Sequence, residues 1–482
     1  MKASFGKIST KGTFTPVWPY GTDLYGRFVY LEKDGKCALI AAFDFSGTQP
    51  KEANRWRREV SALTGIPEGA LWYHELQIHA APYCEQLKGE PMDKLIARSA
   101  EEINRMRERA EECDCYVCES DFGTECSFNR EQYVEGLGGV TVWTGMSFDE
   151  EGRPYSQNKD IMLLRGYRPD LPVFEKPIYF DNPNDPKAYL FRFVNKKGET
   201  LGTVSRFAAH PDVAVLFELR FHPDRRNEYH YNFDWPGYMS ESFEQKYGGV
   251  SLYLNGPCAD LSAKKGYDGL DLYEDAEREC KRLAKWFGEK LSADFDKNAF
   301  RIDADSVFRA ETFEIDVPLK EDIPSSLAEL REETPRRVAE AQERLDMAVA
   351  ESAPAYKVKR LIDDRWRIGS IPHVVTETLD LTDEELASRK VKVRVAALRF
   401  GGYLFVGVPG ESLVDMTLWL RSQFTGVKTV PVDQVDGYYN YMATPRSMTL
   451  GGYTYWQSWV ARDGIPTIKR ELTKLLGEFM KN

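Results

Sequence analysis

The sequence predicts an α/β fold. Three observations carry this: an alternating stretch that turns back on a glycine, a helical stretch directly after it, and an apolar strand leading into a second, charged helix. Residues 29–45 alternate around Gly35 as a hairpin does, and residues 51–63 carry apolar and charged side chains at helical spacing. Residues 71–79 read as the next strand and residues 93–113 as an amphipathic helix. Residues 187–194 and 203–209 flank the turn Asn195-Lys196-Lys197-Gly198, which predicts a second hairpin, and residues 250–255 form a short strand. Two long polar helices are expected over residues 271–295 and 326–351, the second opened by the capping box Ser326-x-x-Glu329. Residues 390–408 return to alternating strands broken at Gly401-Gly402, and residues 413–424 complete the pattern as a helix.

Composition narrows the function. With 64 Lys+Arg against 76 Asp+Glu the net charge is −12, a field that repels phosphate backbones, so no nucleic-acid partner is expected. The first residues lack the apolar core of a secretory signal, and no apolar run is long enough to cross a bilayer, so a cytoplasmic location and no transmembrane segment are expected. Eight cysteines then read as free thiols. Cys113, Cys115, Cys118 and Cys126 cluster, either as buried residues on a strand or as thiolate ligands of a structural metal.

The six histidines limit where a metal could sit. His79, in Gln77-Ile78-His79-Ala80-Ala81-Pro82, and His210, in Phe207-Ala208-Ala209-His210-Pro211, each follow an apolar strand into a proline-marked turn. Such turns are where α/β sheets place their sites. Val408-Pro409-Gly410-Glu411 delivers a carboxylate to the start of a helix, where it either serves a site or complements the helix dipole. Asn255-Gly256-Pro257-Cys258-Ala259-Asp260-Leu261-Ser262 is a strand running into a tight turn, with Asp260 and Ser262 as turn formers, helix caps or reacting groups. His74 and His373 are assigned to structure. His222 and His230 belong to an aromatic and basic stretch, residues 221–247, read as packing or as a lid.

Together these segments, in this order, resemble the neutral/alkaline ceramidase family. Thr15-Pro16, Gly26-Arg27, Asp44, Arg57, Gly65-Ile66-Pro67, Asn129-Arg130, Asp185-Pro186 and Gly198 are similar to further landmarks of that family, so the resemblance spans nearly the whole chain. It implies a large mixed-sheet catalytic domain of the neutral ceramidase type over residues 1–482, without the family's C-terminal β-sandwich domain. It also implies Zn2+ as cofactor and a small-molecule N-acyl substrate cleaved at its amide bond. The same metal would equally serve an esterase or lactonase, and a metabolite-binding protein with a decayed site is the reading from another class. Oligomeric state is left open.

By the same resemblance, His210 and Glu411 match two zinc ligands. Tyr441, in Tyr438-Tyr439-Asn440-Tyr441, matches a third, and Tyr453 matches the tyrosine that hydrogen-bonds the substrate carbonyl. Ser262 stands for the catalytic serine and Arg130 for an active-site arginine. The family carries a histidine pair, its first member a ligand and its second supporting the serine, and here Gln77 replaces the first. On a strand Gln77 and His79 would point the same way. Three outcomes are open: His79 takes over as ligand, the metal is weakly held or a harder ion, or activity is lost.

Overall fold

The computed structural model describes residues 1–123, 126–142, 147–151, 153–157, 159–215, 228–263, 273–303 and 306–481. Its first hairpin, Tyr25–Lys33 with Lys36–Phe43, closes through the two-residue turn Asp34-Gly35. Both turn residues are left-handed, at φ 52° and 73°, as a primed turn between right-twisted strands requires. This hairpin lies within a large sheet of nine strands among the described residues. The order is Val250–Asn255, Thr200–Phe207, Lys187–Asn195, Glu111–Asp121, Lys2–Ser9, Tyr25–Lys33, Lys36–Phe43 and Leu71–Glu75, with Phe300–Arg301 paired beside Glu111–Asp121. The two outermost pairings are parallel and the inner ones antiparallel, so the sheet is mixed, as expected.

A second sheet stacks on the first, in the order Phe308–Pro318, Lys390–Phe400, Tyr403–Gly407, Lys428–Val432. Strand period divides its side chains between two cores. Ala396, Leu398 and Phe400 face the large sheet, where Phe191 meets Phe405 at 5.2 Å. Val391, Val393, Val395 and Ala397 face a second core with Ile468, Leu472 and Leu476 of the helix Gly464–Lys481. The helix pairs Pro50–Thr64 with Glu90–Glu108, and Asp234–Tyr247 with Tyr273–Asn298, cover the large sheet. Leu327–Ala350 and Ala355–Pro372 pack on each other and enclose a third core with Phe128, Val140 and Leu164. No helix among the described residues is long and apolar enough to cross a membrane.

Several sequence expectations shift. The second helix spans Glu90–Glu108 instead of 93–113: Glu111 and Glu112 are exposed at the start of a strand, where they pair with Ala3 and Lys2, so their charge marks a sheet rim. Cys113 and Cys115 share one face of that strand, Cys118 takes the other, and all three are buried, as is Cys126. Ser326 caps its helix by accepting from the Glu329 amide, but the Glu329 carboxylate turns to Ser325 instead of closing the box. The start of the helix expected at 271–295 lies outside the described residues, and the described part runs Tyr273–Asn298. Of the stretch 221–247, residues 221–227 and with them His222 lie outside the described residues, while Asp234–Tyr247 is a helix packed on the sheet.

The landmark charges prove to be a buried ionic frame. Arg27 binds both oxygens of Asp44 at 2.7 and 2.8 Å, Arg57 binds Asp436 at 2.9 Å, and Asp185 is gripped by Arg206 and Arg421, each at 2.5 Å. Burial opposes the Asp185 charge, yet the two guanidiniums hold its pKa below the ordinary carboxylate value. Removing one partner of such a pair leaves a buried charge unpaired, which typically costs about 3–5 kcal/mol.

Candidate active site

Five strands deliver groups to the site from their carboxyl ends. His79 follows Leu71–Glu75, His210 follows Thr200–Phe207, the Cys258–Ser262 turn follows Val250–Asn255, Glu411 follows Tyr403–Gly407, and Tyr438 and Tyr441 follow Lys428–Val432. Backbone hydrogen bonds stitch these loops together: His79 N to Pro211 O at 3.1 Å, His210 N to Leu261 O at 2.9 Å, Ala259 N to Ser412 O at 3.1 Å and Glu411 N to Asn440 O at 2.9 Å. Peptide groups that would be costly to bury unpaired thus become the scaffold.

At the centre His79 and His210 face each other with 3.1 Å between their Nε2 atoms. The Nδ1 of His210 lies 3.0 Å from the Cys258 carbonyl, which can only accept, so the proton sits on Nδ1 and the Nε2 lone pair points inward. Burial, then the Arg130 charge, pushes the His210 pKa well below the ordinary imidazole value and keeps it neutral, the state a cation needs. Glu411 Oε2 stands 3.9 Å from His210 Nε2 and is buried without a hydrogen-bond partner. The other carboxylate oxygen, Oε1, accepts from the Tyr438 hydroxyl at 2.5 Å. Burial raises the Glu411 pKa, while Tyr438, Tyr441, Arg130 and Gln77 work in the opposite direction.

Zinc fits this donor set. Two ligands about 2.0–2.1 Å from a tetrahedral zinc lie about 3.3 Å apart, close to the histidine spacing. An orphaned buried carboxylate oxygen is the feature a cation would satisfy. Among the described residues no three His, Cys, Asp or Glu side chains close into one metal-ligating cluster. The site consists of two pairs sharing His210, with amide and phenol groups around them.

Gln77 departs from expectation. The strand ends at Glu75, and Gln77 adopts φ 60°, so strand alternation does not orient it with His79. A left-handed turn at a non-glycine residue is uncommon and is held by its surroundings. The Gln77 Oε1 lies 3.7 Å from Cys258 Sγ and Gln77 favours the charged form of Glu411, so Gln77 sits on the carboxylate side of the pocket while His79 sits against His210.

Arg130 is buried, donating to the Ala259 carbonyl at 2.6 and 2.9 Å and to the Tyr441 hydroxyl at 2.7 Å. Burial works against its charge, and Tyr441, Asp212 and Glu411 outweigh that, so its pKa is raised. Tyr453 packs edge-on against Tyr441, ring centres 5.2 Å apart. Ser262 lies on a short strand, Leu261–Ala263, that pairs with Ser127–Asn129 and bridges to His210. Glu411 does not begin the helix: it pairs with Tyr441 in a two-residue strand, and the first helical N–H, on Val414, is bonded by Asp260 at 2.8 Å. Asp260 is therefore the helix-capping carboxylate.

Sequence reasoning missed three neighbours. Cys258, whose Sγ lies 3.6 Å from His210 Nδ1, stands in a turn quoted for other residues. Asp212, 3.9 Å from Arg130, follows His210 by two positions. Tyr438, whose hydroxyl bonds Glu411, stands three positions before Tyr441 in the same tyrosine-rich run. His74 is buried and its Nε2 accepts from the Asn255 amide at 3.1 Å, while the His230 ring lies 4.3 Å from that of Tyr273. A cleft of 780 Å³ runs between the helices Asp234–Tyr247 and Tyr273–Asn298, lined by Tyr238, Glu241 and Lys281, and shares no residue with the site.

The stacked sheets, with site residues on the loops at their strand ends, define a neutral ceramidase-type fold. No family model matches the sequence, and no curated protein sequence matches it. Among solved structures the chain is similar to the neutral ceramidase from Pseudomonas aeruginosa, with a TM-score of 0.62 and 12% identity over 98% of this chain and 73% of that one. It is also similar to a ceramidase complexed with C2, with a TM-score of 0.61 and 13% identity over 98% of this chain and 74% of that one.

Proposed function

We propose that the chain is a zinc-dependent hydrolase cleaving the amide bond of an N-acyl substrate, either a ceramide-like lipid or a smaller soluble N-acyl compound. The supporting observation is the 3.1 Å approach of two Nε2 atoms beside a buried carboxylate oxygen that has no hydrogen-bond partner. The likeness of the fold to ceramidases supports the same chemistry. His79, His210 and Glu411 would hold the ion, with Tyr441 and Gln77 beside them. When bound, zinc supplies Lewis acidity that polarises a carbonyl and makes water nucleophilic at neutral pH.

The chain's own groups supply the rest. Arg130 fixes the Tyr441 hydroxyl at 2.7 Å and brings positive charge toward an oxyanion. Tyr453, packed against that tyrosine, offers its hydroxyl to the substrate carbonyl oxygen; loss of one such donor typically costs about 10²–10³ in rate. Ser262, joined to the His210 segment, acts as nucleophile, or orients the substrate and passes a proton. The test is zinc content together with turnover of a panel of N-acyl amides and matched esters and lactones. Turnover of esters or lactones alone would replace the amide reading, and a protein with neither zinc nor turnover would be a binding module.

A further inference from the structure

We infer that Tyr438 is a positioning residue of this centre: it occupies Oε1 of Glu411 and so leaves Oε2 as the single oxygen available to a cation. The inference rests on the zinc reading above and deepens it. A phenol has one proton to donate, and here it is spent on Oε1 at 2.5 Å. Oε2, buried without a hydrogen-bond partner, is the oxygen that faces His210.

Tyr438 has little freedom to move. Its ring meets Tyr83 edge-on at 5.5 Å, and it covers Gly47, where even a Cβ would stand 2.9 Å from the ring. Its amide donates to Thr48 O at 2.8 Å. The loop that delivers it is left-handed at Gln434, Asp436, Gly437 and Asn440, with φ of 45°, 62°, 119° and 56°. Backbone in that region persists where the surroundings over-determine it. Here Asp436 accepts from Arg57 at 2.9 Å and from the Tyr73 amide at 3.2 Å, and Gly437 is pressed against Pro50. Tyr83 is itself held, its hydroxyl 3.0 Å from Thr378 Oγ1 in the π-helical turn His373–Thr378. A hydroxyl placed this firmly sets the direction of the carboxylate as partners of metal ligands do.

The test is Tyr438→Phe, which keeps the ring and removes the hydroxyl. Zinc affinity, read by competition with a chromophoric chelator, is expected to weaken about 10–100-fold, with the melting temperature of the metal-free protein little changed. The cobalt(II)-loaded variant should lose visible absorption intensity, because the freed Oε1 can also bind and raise the coordination number, a signature that a merely structural role would not move. If Tyr438→Phe fails to fold, Gly47→Ala gives the second measurement: the added Cβ displaces the ring, and zinc should again weaken. Zinc affinity within twofold of wild type and an unchanged cobalt spectrum would overturn the positioning role while leaving the zinc reading intact. A wild-type protein that binds no zinc would overturn both.

Discussion

The Nε2 atoms of His79 and His210 stand 3.1 Å apart although 131 positions separate the two residues in the chain. Two imidazole nitrogens approach this closely when a proton or a cation lies between them. His79→Ala is therefore expected to lose zinc as completely as His210→Ala, whereas Gln77→Ala keeps it. Gln77→His should tighten binding, because an imidazole nitrogen binds zinc better than a neutral amide oxygen, and histidine tolerates the left-handed backbone found there. Equilibrium zinc titration of wild type and the four variants checks this; zinc lost from Gln77→Ala and kept by His79→Ala would exchange their roles.

At Glu411 stability works against the proposed metal binding. Its carboxyl is fully buried and its pKa is raised first of all by that burial, so the metal-free protein holds an ill-satisfied acid. Glu411→Gln should abolish zinc binding and turnover, yet leave the metal-free protein as stable as wild type or about 1–2 kcal/mol more so. Urea unfolding after chelation decides this, and clear destabilisation would mean that the carboxyl contributes to the fold.

Ser262→Ala should retain zinc and lower turnover by about 100-fold or more, the range for loss of a reacting or proton-passing group. Near-normal turnover on the cognate substrate would reduce Ser262 to a strand residue beside His210.

Asp260 predicts a pH dependence. Burial lifts its pKa to about 6, against hydrogen bonds from Val414 N and Asn129 that favour the charged form. In the folded state it therefore keeps a proton that the unfolded chain, titrating near 3.8, has released. This contribution to stability is fully present below about pH 4 and is lost as pH rises through 6. Asp260→Asn should flatten the wild-type decline between pH 4 and 7 by on the order of 3 kcal/mol. Urea unfolding of both metal-free proteins across that range measures it, and identical slopes would refute it.

His210 and Glu411 were legible in the sequence because an apolar strand, a proline turn and a polar group announce themselves within a few residues. The two-strand alternation of residues 390–408 was legible for the same local reason. Gln77 was not, since its left-handed turn follows from packing and only a glycine would have advertised it. Tyr438 and Tyr441 look equivalent in a tyrosine-rich run. What separates them is a loop left-handed at four positions and pinned by Arg57, 379 positions from Asp436. The charges at Glu111 and Glu112 suggested a helix surface because a sheet rim and a helix face expose the same residue types.

The loops that carry His79, His210, Glu411 and Tyr441 are spread over most of the chain, and each is anchored by backbone bonds to another. Glu411 and Tyr441 come from one stretch of chain and pair with each other, but His79 and His210 reach them from the large sheet, 131 positions apart. Contacts this distant in sequence pay off only after both sheets have paired, which places the topology among slow folders. Competence should therefore appear as one of the last events after dilution from denaturant, well behind the recovery of secondary structure. Under the proposed hydrolase function this amounts to a safeguard in a cell: a nascent or clipped chain would carry no stray activity, and turnover would itself report that the whole molecule has closed.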